Sequence, residues 1–297
     1  MVSIVVPAHN EERVIGRLLG RILSSPGPDD LDIVVVANGC TDGTAAVAAS
    51  FGPPVRVVSV PAASKREALA EGNRAATGFP RLYVDADVEL GSSDVRALSE
   101  ALRRPGVLGA GPVVVHALAG RPWPIRWFYD VWTRLPEVQH GLFGRGVVGV
   151  SEEGYRRIAS LPPVLADDLA ASLEFSPGER MIVPDAKVTV HPPRTFSDLL
   201  RGRARAAMGT TQLEQAEGAP AATSHTSSAD LAAIVRREPR LVPQVTLFLM
   251  VAVLSRAQAR RVTRKAGYSV WLRDASSRDG ASGRDEANSR DGASSRG

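Results

Sequence analysis

Apolar runs of strand length alternate with amphipathic helical stretches through the first third of this chain, and that alternation restricts its fold most strongly. The apolar runs occupy residues 2–6, 31–36, 55–60 and 82–85. Between the first two, apolar residues recur at helical spacing over residues 14–23. Strands that are apolar throughout are typical of parallel sheets with helices on both faces. The sequence therefore predicts an α/β fold built on a mostly parallel sheet.

Polar residues in three loops predict where the first helices begin. Asn10 is the predicted N-cap of the first helix, and Asp42 is the predicted cap of the second. Ser64 and Glu67 have the spacing of a capping box for the third. Each helix would then directly follow a strand, as repeated strand–helix units require.

The most distinctive polar feature is an acidic pair at the end of the fourth apolar run. Asp85 and Asp87 are separated by one small residue, and side chains two apart on an extended backbone point the same way. Carboxylate oxygens suit Mg²⁺ or Mn²⁺ held against phosphates, and ligands of parallel sheets bind outside the carboxyl ends of the strands. The alternative is a pair of solvated carboxylates that cap the next helix.

Four segments of the chain resemble the family 2 glycosyltransferases, which have the GT-A fold. The segments are residues 2–12, 37–44, 82–87 and 166–175, and the resemblance extends over residues 1–210. It implies a Rossmann-like, mixed and mostly parallel sheet flanked by helices. It also implies an inverting transfer of a sugar from a nucleotide-diphosphate donor to an acceptor hydroxyl, with Mn²⁺ or Mg²⁺ as cofactor.

The resemblance implies a set of donor-binding positions. They are Pro7, His9, Asn10, Asn38, Lys65 and Asp85. His9 replaces the commoner aromatic residue and either stacks on a nucleobase or is a loop histidine. Asn38 stands where many members carry an aspartate, which leaves the identity of the base open. Lys65 either faces the donor phosphates or is a solvated residue in the first turn of its helix.

For the metal, the resemblance assigns direct coordination to Asp87 and a position near the ribose or the metal to Asp85. His191 follows an apolar run at the position of a late histidine that completes the metal shell in some GT-A relatives. The alternative for His191 is a structural role at the end of a strand.

On the acceptor side, the resemblance places Asp168 as the base that takes the acceptor proton, with Asp167 immediately before it. The alternative is that both carboxylates only stabilise a helix N-terminus. Gly146 lies in a glycine-bearing segment that precedes the acceptor site, and Arg201 and Arg205 share one helical face that would contact phosphate. These arginines are otherwise solvated residues of a helix.

Four aromatic residues recur near helical spacing between the two acidic pairs. They are Trp123, Trp127, Phe128 and Trp132, within a predicted helical region at residues 123–139. Such a stripe either forms a platform for the acceptor or packs in the core. We expect core packing, which is the commoner use of aromatic residues at this spacing.

The C-terminal third differs in composition from the predicted catalytic domain at residues 1–210. Residues 211–230 are predicted as a flexible linker, residues 231–273 as a helical, membrane-associated segment and residues 274–297 as a disordered tail. The apolar run at 241–254 is shorter than the roughly 20 residues of a spanning helix, and arginines flank it on both sides. We expect an interfacial helix on anionic lipid; the alternative is a helix packed on the catalytic domain.

Composition restricts the partners and the location. The net charge is +4 with abundant acidic residues, and no nucleic-acid-binding motif is present. Cys40 is the only cysteine, so an intramolecular disulfide is excluded and a reducing cytoplasm is expected. The chain begins at once with a strand, so no signal peptide is expected. The expected location is cytoplasmic, peripheral at the inner face of the cell membrane.

The leading hypothesis is a metal-dependent glycosyltransferase that acts on a carbohydrate or lipid-linked acceptor in cell-envelope, polysaccharide or glycolipid synthesis. A nucleotidyltransferase is the first alternative, but it would require a glycine-rich phosphate loop with an arginine near the N-terminus. A non-catalytic, membrane-attached nucleotide-sugar-binding protein is the second alternative. Such a binder would not need the second acidic pair, Asp167 and Asp168.

Overall fold

The structure is a computed structural model that describes residues 1–25, 30–159, 172–215 and 226–266. Two predictions fall outside these residues. They are the acidic pair Asp167 and Asp168, and the disordered tail at 274–297.

The described strands form one mixed sheet. They are β1 (Val2–Ala8), β2 (Leu31–Asn38), β3 (Val55–Val60), β4 (Arg81–Val84), β5 (Glu89–Leu90), β6 (Gly109–His116), β7 (Val147–Val150) and β8 (Arg180–Val190). Their order is β3-β2-β1-β4-β7-β6-β8-β5. Strands β1 to β4 are mutually parallel, β7 is antiparallel to both of its neighbours, and β5 is antiparallel to β8. The predicted mixed, mostly parallel sheet is confirmed.

Helices lie between the strands and beyond them. They are α1 (Glu12–Leu23), α2 (Thr44–Ala49), α3 (Lys65–Ala75), α4 (Ser92–Leu102), α5 (Trp123–Trp132), α6 (Pro136–His140), α7 (Glu152–Ile158), α8 (Phe196–Gln215), α9 (Ser228–Arg237) and α10 (Val242–Ala266). A 3₁₀ turn at Pro239–Leu241 leads into α10.

Continuous apolar strands fold into the centre of the sheet because helices cover both of its faces. Ile4 and Val6 of β1 pack in one core cluster with residues of α1 and α4, whereas Val5 packs with α3 on the opposite face. All three side chains are fully buried. Successive side chains of a strand point to opposite faces, so an unbroken apolar run is the pattern that two covered faces require.

Ser64 is the N-cap of α3 as predicted, whereas Asp42 lies one residue before Gly43, the N-cap position of α2. The Ser64 hydroxyl accepts a hydrogen bond from the Glu67 amide at 3.2 Å, and the Asp42 carboxylate accepts one from the Thr44 amide at 3.1 Å. Burial alone would raise the pKa of Asp42, but hydrogen bonds from Thr44 and the Glu12 amide outweigh burial and lower it.

The C-terminal helices pack on α5 instead of standing apart from the catalytic domain. One apolar cluster joins α5, α8, α9 and α10, and Phe128 of α5 stacks on Phe248 of α10 with ring centroids 5.1 Å apart. Arg134, just after α5, also binds Glu238 at 2.9 Å. For one face of α10, the packed alternative is therefore the correct one.

Helices occupy both ends of the segment predicted as a linker, residues 211–230. Helix α8 continues to Gln215 and α9 begins at Ser228. The aromatic stripe is divided: Phe128 is core as expected, but Trp123 is 58% exposed.

Candidate active site

The loop after β4 brings together two of the predicted donor-side residues. Asp85 stands at the carboxyl end of β4, and its carboxylate accepts a hydrogen bond from the Lys65 ammonium at 3.2 Å. Lys65 is the first residue of α3, whose N-cap is Ser64. The strand–helix order of the sequence thus places a cation against the first carboxylate of the acidic pair.

The second carboxylate of the pair, Asp87, lies in a loop that α1 supports. The Arg17 guanidinium donates to the backbone carbonyl of Asp87 at 3.3 Å and also lies 3.6 Å from Glu89. Arg21 binds the other oxygen of Glu89 at 2.7 Å. These contacts fix the path of the chain from Asp85 to Glu89.

Glu89 also holds His191, the predicted late metal ligand. Strand pairing between β5 and β8 brings the two together, and His191 Nε2 lies 2.8 Å from Glu89 Oε1. Because a carboxylate only accepts, Nε2 donates this hydrogen bond, and in the neutral ring Nδ1 is then the nitrogen with a lone pair. A carboxylate that orients a histidine in this way is typical of metal sites, although a purely structural pair has the same geometry.

Sequence analysis missed Glu89 as a site residue. Asp85, Asp87 and Glu89 alternate along the chain, which is the signal that could have identified it. The side chain of Glu89 is 13% exposed and is surrounded by Arg17, Arg21 and His191.

The first two loops of the sheet edge are joined by hydrogen bonds. His9 Nδ1 donates to the Asn38 carbonyl at 2.5 Å, and the Asn38 side-chain amide donates to the Ala8 carbonyl at 2.9 Å. Asn38 is 4% exposed, so most of its polar surface serves to join β1 and β2. Contacts of His9, Asn38 and Pro7 with a nucleoside stay predictions.

The prediction of Asn10 as an N-cap is wrong. The N-cap position of α1 is Glu11, whose side chain makes no capping hydrogen bond. Asn10 has a φ of 54°, a left-handed conformation that asparagine tolerates. Its side-chain oxygen therefore turns to the second loop and accepts from the Thr41 amide at 2.7 Å.

A second missed residue, Arg145, shapes the glycine-bearing segment before β7. The buried guanidinium donates to four backbone carbonyl groups, those of Pro112, Val138, Gln139 and Gly141. Burial lowers the pKa of Arg145 to about 10. A lone arginine between glycines and apolar residues was the signal in the sequence.

Gly146 couples this segment to the acidic loop. Its carbonyl accepts from the Asp85 amide at 2.8 Å. Its φ is +67°, and a Cβ here would lie 2.5 Å from Val88 Cγ1 and 3.6 Å from Asp85 Oδ2. Only glycine therefore fits between this segment and the loop that carries Asp85 and Asp87.

We expect Gly146→Ala to displace the Asp85–Asp87 loop, because the added methyl group collides with the buried Val88 side chain. The measurement is the rise in melting temperature that Mn²⁺ and a nucleoside diphosphate produce together, which this variant should lose. Gly144→Ala is the matched control, because Gly144 has the same φ of +67° and its nearest neighbour to a Cβ is a Trp132 carbon at 3.9 Å. An equal ligand-induced rise in both variants would contradict the role of Gly146.

A cavity of about 580 Å³ opens beside Asp85 and runs between α3 and α7. Its lining combines polar residues, among them Lys65, Asn73, Arg74 and Asp85, with apolar ones, among them Leu69, Val148, Tyr155 and Ile158. Tyr83 also lines the cavity and donates to Asn73 at 2.8 Å. Burial raises the pKa of Tyr83 to about 12, so this hydroxyl stays neutral.

Two of the predicted phosphate-contacting residues, Arg201 and Arg205, lie on α8. Arg201 binds Asp198, and α8 packs against α5 and α10. The roles of Arg201 and Arg205, like those of Asp167 and Asp168, stay predictions.

Solved structures of sugar-transferring enzymes have the same architecture. A mannosyltransferase from Pyrobaculum calidifontis, in complex with GDP-Man and Mn²⁺, has a TM-score of 0.58 and 23% identity, over 91% of this chain and 82% of that one. Glucosyl-3-phosphoglycerate synthase from Mycobacterium tuberculosis has a TM-score of 0.55 and 22% identity, over 73% and 81%. The fold is thus the GT-A fold.

The amino-acid sequence leads to a narrower assignment. Residues 3–147 match the model of glycosyl transferase family 2. A 4,4'-diaponeurosporenoate glycosyltransferase from Staphylococcus aureus is 36% identical over 167 residues, which are 54% of this chain and 42% of the relative. Just under half of the chain therefore resembles glycosyl transferase family 2, and the chain spans less than half the length of this relative.

Proposed function

We propose that the protein is an inverting, divalent-metal-dependent glycosyltransferase that moves a sugar from a nucleotide-diphosphate donor to an acceptor hydroxyl. The observation that carries the proposal is the Lys65–Asp85 pair at the carboxyl edge of β4, 3.2 Å apart, with Asp87 two residues further on. The match of residues 3–147 to the family 2 glycosyl transferase model supports this reaction over nucleotidyl transfer.

The donor set of the acidic loop fits a hard divalent cation. Within residues 1–25, 30–159, 172–215 and 226–266, no group of three or more His, Cys, Asp or Glu side chains surrounds one point. Asp87 and Asp85 would therefore hold Mn²⁺ or Mg²⁺ together with donor phosphate oxygens, and His191 Nδ1 is a further candidate ligand. The Lys65 ammonium lies 3.2 Å from the Asp85 carboxylate, which supports the proposal that this carboxylate binds cations. A bound cation would stabilise negative charge on the departing diphosphate.

The remaining residues would bind the donor and activate the acceptor. Lys65 would contact donor phosphate as a compact point charge, and Pro7, His9 and Asn38 would surround the nucleoside. Asp168, assigned from the family resemblance alone, would take the proton of the acceptor hydroxyl. The neighbours crystallised with GDP-Man and UDP-Glc support a nucleotide-sugar donor but differ in the base.

We further propose an acceptor that carries an apolar part. The cavity beside Asp85 has apolar walls formed by Leu69, Tyr155 and Ile158, which would bury an apolar chain or ring next to the reacting hydroxyl. The S. aureus relative is named for transfer to 4,4'-diaponeurosporenoate. This acceptor chemistry suits glycolipid or cell-envelope synthesis at the cytoplasmic side of a membrane.

The decisive experiment is a thermal-shift screen of nucleoside diphosphates with and without Mn²⁺. Ligand at a hundred times its Kd stabilises the folded protein by about 2.7 kcal/mol, which corresponds to a rise of roughly 5–10 °C for a domain of this size. We expect one or two nucleotides to produce this rise with Mn²⁺ and to lose most of it in EDTA.

A purely nucleotide-binding protein would pass this screen but would not turn over. The cognate nucleotide sugar should therefore be incubated with Mn²⁺, and release of nucleoside diphosphate should be measured with amphipathic alcohols as acceptors. The proposed activity would be contradicted if the rise in melting temperature did not depend on Mn²⁺, or if no nucleoside diphosphate were released.

A further inference from the structure

The outer face of α10 is apolar although the helix already buries its inner face. Val245, Phe248 and Val251 lie in the cluster shared with α5, α8 and α9. On the other side, large apolar side chains are 44% to 64% exposed. They are Val242, Leu249, Met250, Val253 and Leu254. Val242, Leu249 and Val253 have the spacing of one helical face, and Met250 and Leu254 lie directly beside it. We call these five residues the outer stripe.

Exposed large apolar side chains are concentrated in this part of the described chain. Outside the outer stripe, the described residues expose three others, Met1, Val115 and Trp123. Trp123 belongs to α5, the helix on which α10 packs, and its ring contacts Trp127 edge-on at 4.8 Å. Contiguous apolar surface of this kind marks a binding surface.

Positive charge lies at both ends of the outer stripe. Arg236 and Arg237 end α9 and are exposed. Arg240 follows them with a side chain that is 81% exposed and that pairs with Glu238 at 3.0 Å, so three arginines face one carboxylate at this end. Beyond the stripe, Arg256 and Arg260 continue its face seven residues after Leu249 and Val253, and both are exposed. Helix α10 contains no acidic residue.

This pattern identifies one occupant. An apolar face with arginines at its ends matches the boundary between the acyl chains and the headgroups of an anionic bilayer. A second protein surface would need acidic groups to neutralise the arginines and an apolar patch to cover the stripe. We propose that the outer stripe docks this protein on the surface of an anionic lipid bilayer, with α10 lying in the plane of the membrane.

The same contacts argue that α10 does not cross the bilayer. Pro239–Thr263 is long and apolar enough to span by length and composition. However, Gln244 Oε1 and Ser255 Oγ are buried within the protein, on the face of α10 that carries the packed side chains of Phe248 and Val251. A helix that crossed the bilayer apart from the domain would expose these polar atoms to lipid. The stripe from 242 to 254 is about 20 Å long, whereas a bilayer core is about 30 Å thick.

The test is co-sedimentation of the full chain with vesicles. We expect binding to vesicles of phosphatidylcholine with 30 mol% phosphatidylglycerol, chosen at roughly physiological anionic content, and weak binding to phosphatidylcholine alone. Leu249→Glu/Val253→Glu should reduce binding to the anionic vesicles by about tenfold or more, because two carboxylates would enter the apolar layer. Arg256→Glu/Arg260→Glu should remove the preference for anionic vesicles.

Val115→Glu is the matched control, since Val115 is 46% exposed on β6. This variant should bind vesicles as the wild type does. Thermal melting would verify that each variant is folded. Equal binding to both kinds of vesicle, or unchanged binding by Leu249→Glu/Val253→Glu, would overturn the proposal. The proposal would also be overturned if the wild type did not sediment with vesicles but formed a dimer, and if Leu249→Glu/Val253→Glu dissociated that dimer. Vesicle binding does not depend on sugar transfer, so this result and the proposed enzymatic activity can fail independently.

Discussion

Asp87→Ala should abolish Mn²⁺-dependent release of nucleoside diphosphate from the donor, with a loss of about a thousandfold or more. Removing one electrostatic contact to a developing charge typically costs a hundredfold to a thousandfold, and here the lost carboxylate would also weaken retention of the cation itself. The variant should fold normally, because Asp87 lies in a loop at the edge of the sheet and the substitution keeps its backbone carbonyl, which accepts from Arg17.

The measurement is a titration of activity with Mn²⁺ at saturating donor. Asp87→Ala should show no recovery at high Mn²⁺, and its melting temperature should no longer respond to nucleotide and Mn²⁺ together. Asp185→Ala is a suitable control, because Asp185 is an exposed carboxylate of β8. Full activity of Asp87→Ala, or an equal loss in both variants, would remove the metal assignment.

The part of the fold that the sequence predicted is the part governed by local patterns. Strands β1 and β2 are almost wholly apolar because both faces of the sheet are covered there, whereas the edge strand β3 carries exposed Arg56 and Ser59. The position of Asp85 followed from the same rule, since parallel strands end at one edge. Lys65 came to the same edge because α3 begins there, with Ser64 as its cap.

Long-range pairing explains what the sequence could not provide. Glu89 meets His191 only because β5 pairs with β8, a contact across 102 residues. Arg145 holds carbonyl groups of two separate segments, and its partners are backbone atoms that carry no sequence signal. Asn10 was assigned as a cap because its residue type favours that role, whereas its left-handed backbone serves the second loop.

The apolar run of α10 shows a different limit. Val245 and Phe248 face the domain, whereas Leu249 and Val253 face outward. With apolar residues on both faces, composition could not decide between packing on the domain and binding to lipid. In the structure the inner face packs on the domain and the outer face is exposed. Packing on the domain therefore applies to one side of α10, and the proposed binding to lipid applies to the other.

Asp168→Asn should separate binding from chemistry. An amide has nearly the shape of the carboxylate but cannot accept the proton of the acceptor hydroxyl, and general-base catalysis contributes about a hundredfold to ten-thousandfold. We expect the Mn²⁺-dependent nucleotide shift in melting temperature to persist while sugar transfer falls by that factor. The residual rate of sugar transfer should also no longer fall at low pH through protonation of this carboxylate, because the variant lacks it.

The neighbouring carboxylate provides the control for this prediction. Asp167→Asn changes the same charge one residue earlier, and a base assigned to Asp168 requires the larger loss in Asp168→Asn. If both carboxylates only stabilised a helix N-terminus, the two variants would lose a little stability and keep their activity. The anomeric configuration of the product is an independent check, because a single base acting on the acceptor inverts it. Retained configuration would require a second displacement, and Asp168 would then not be the base of a one-step transfer.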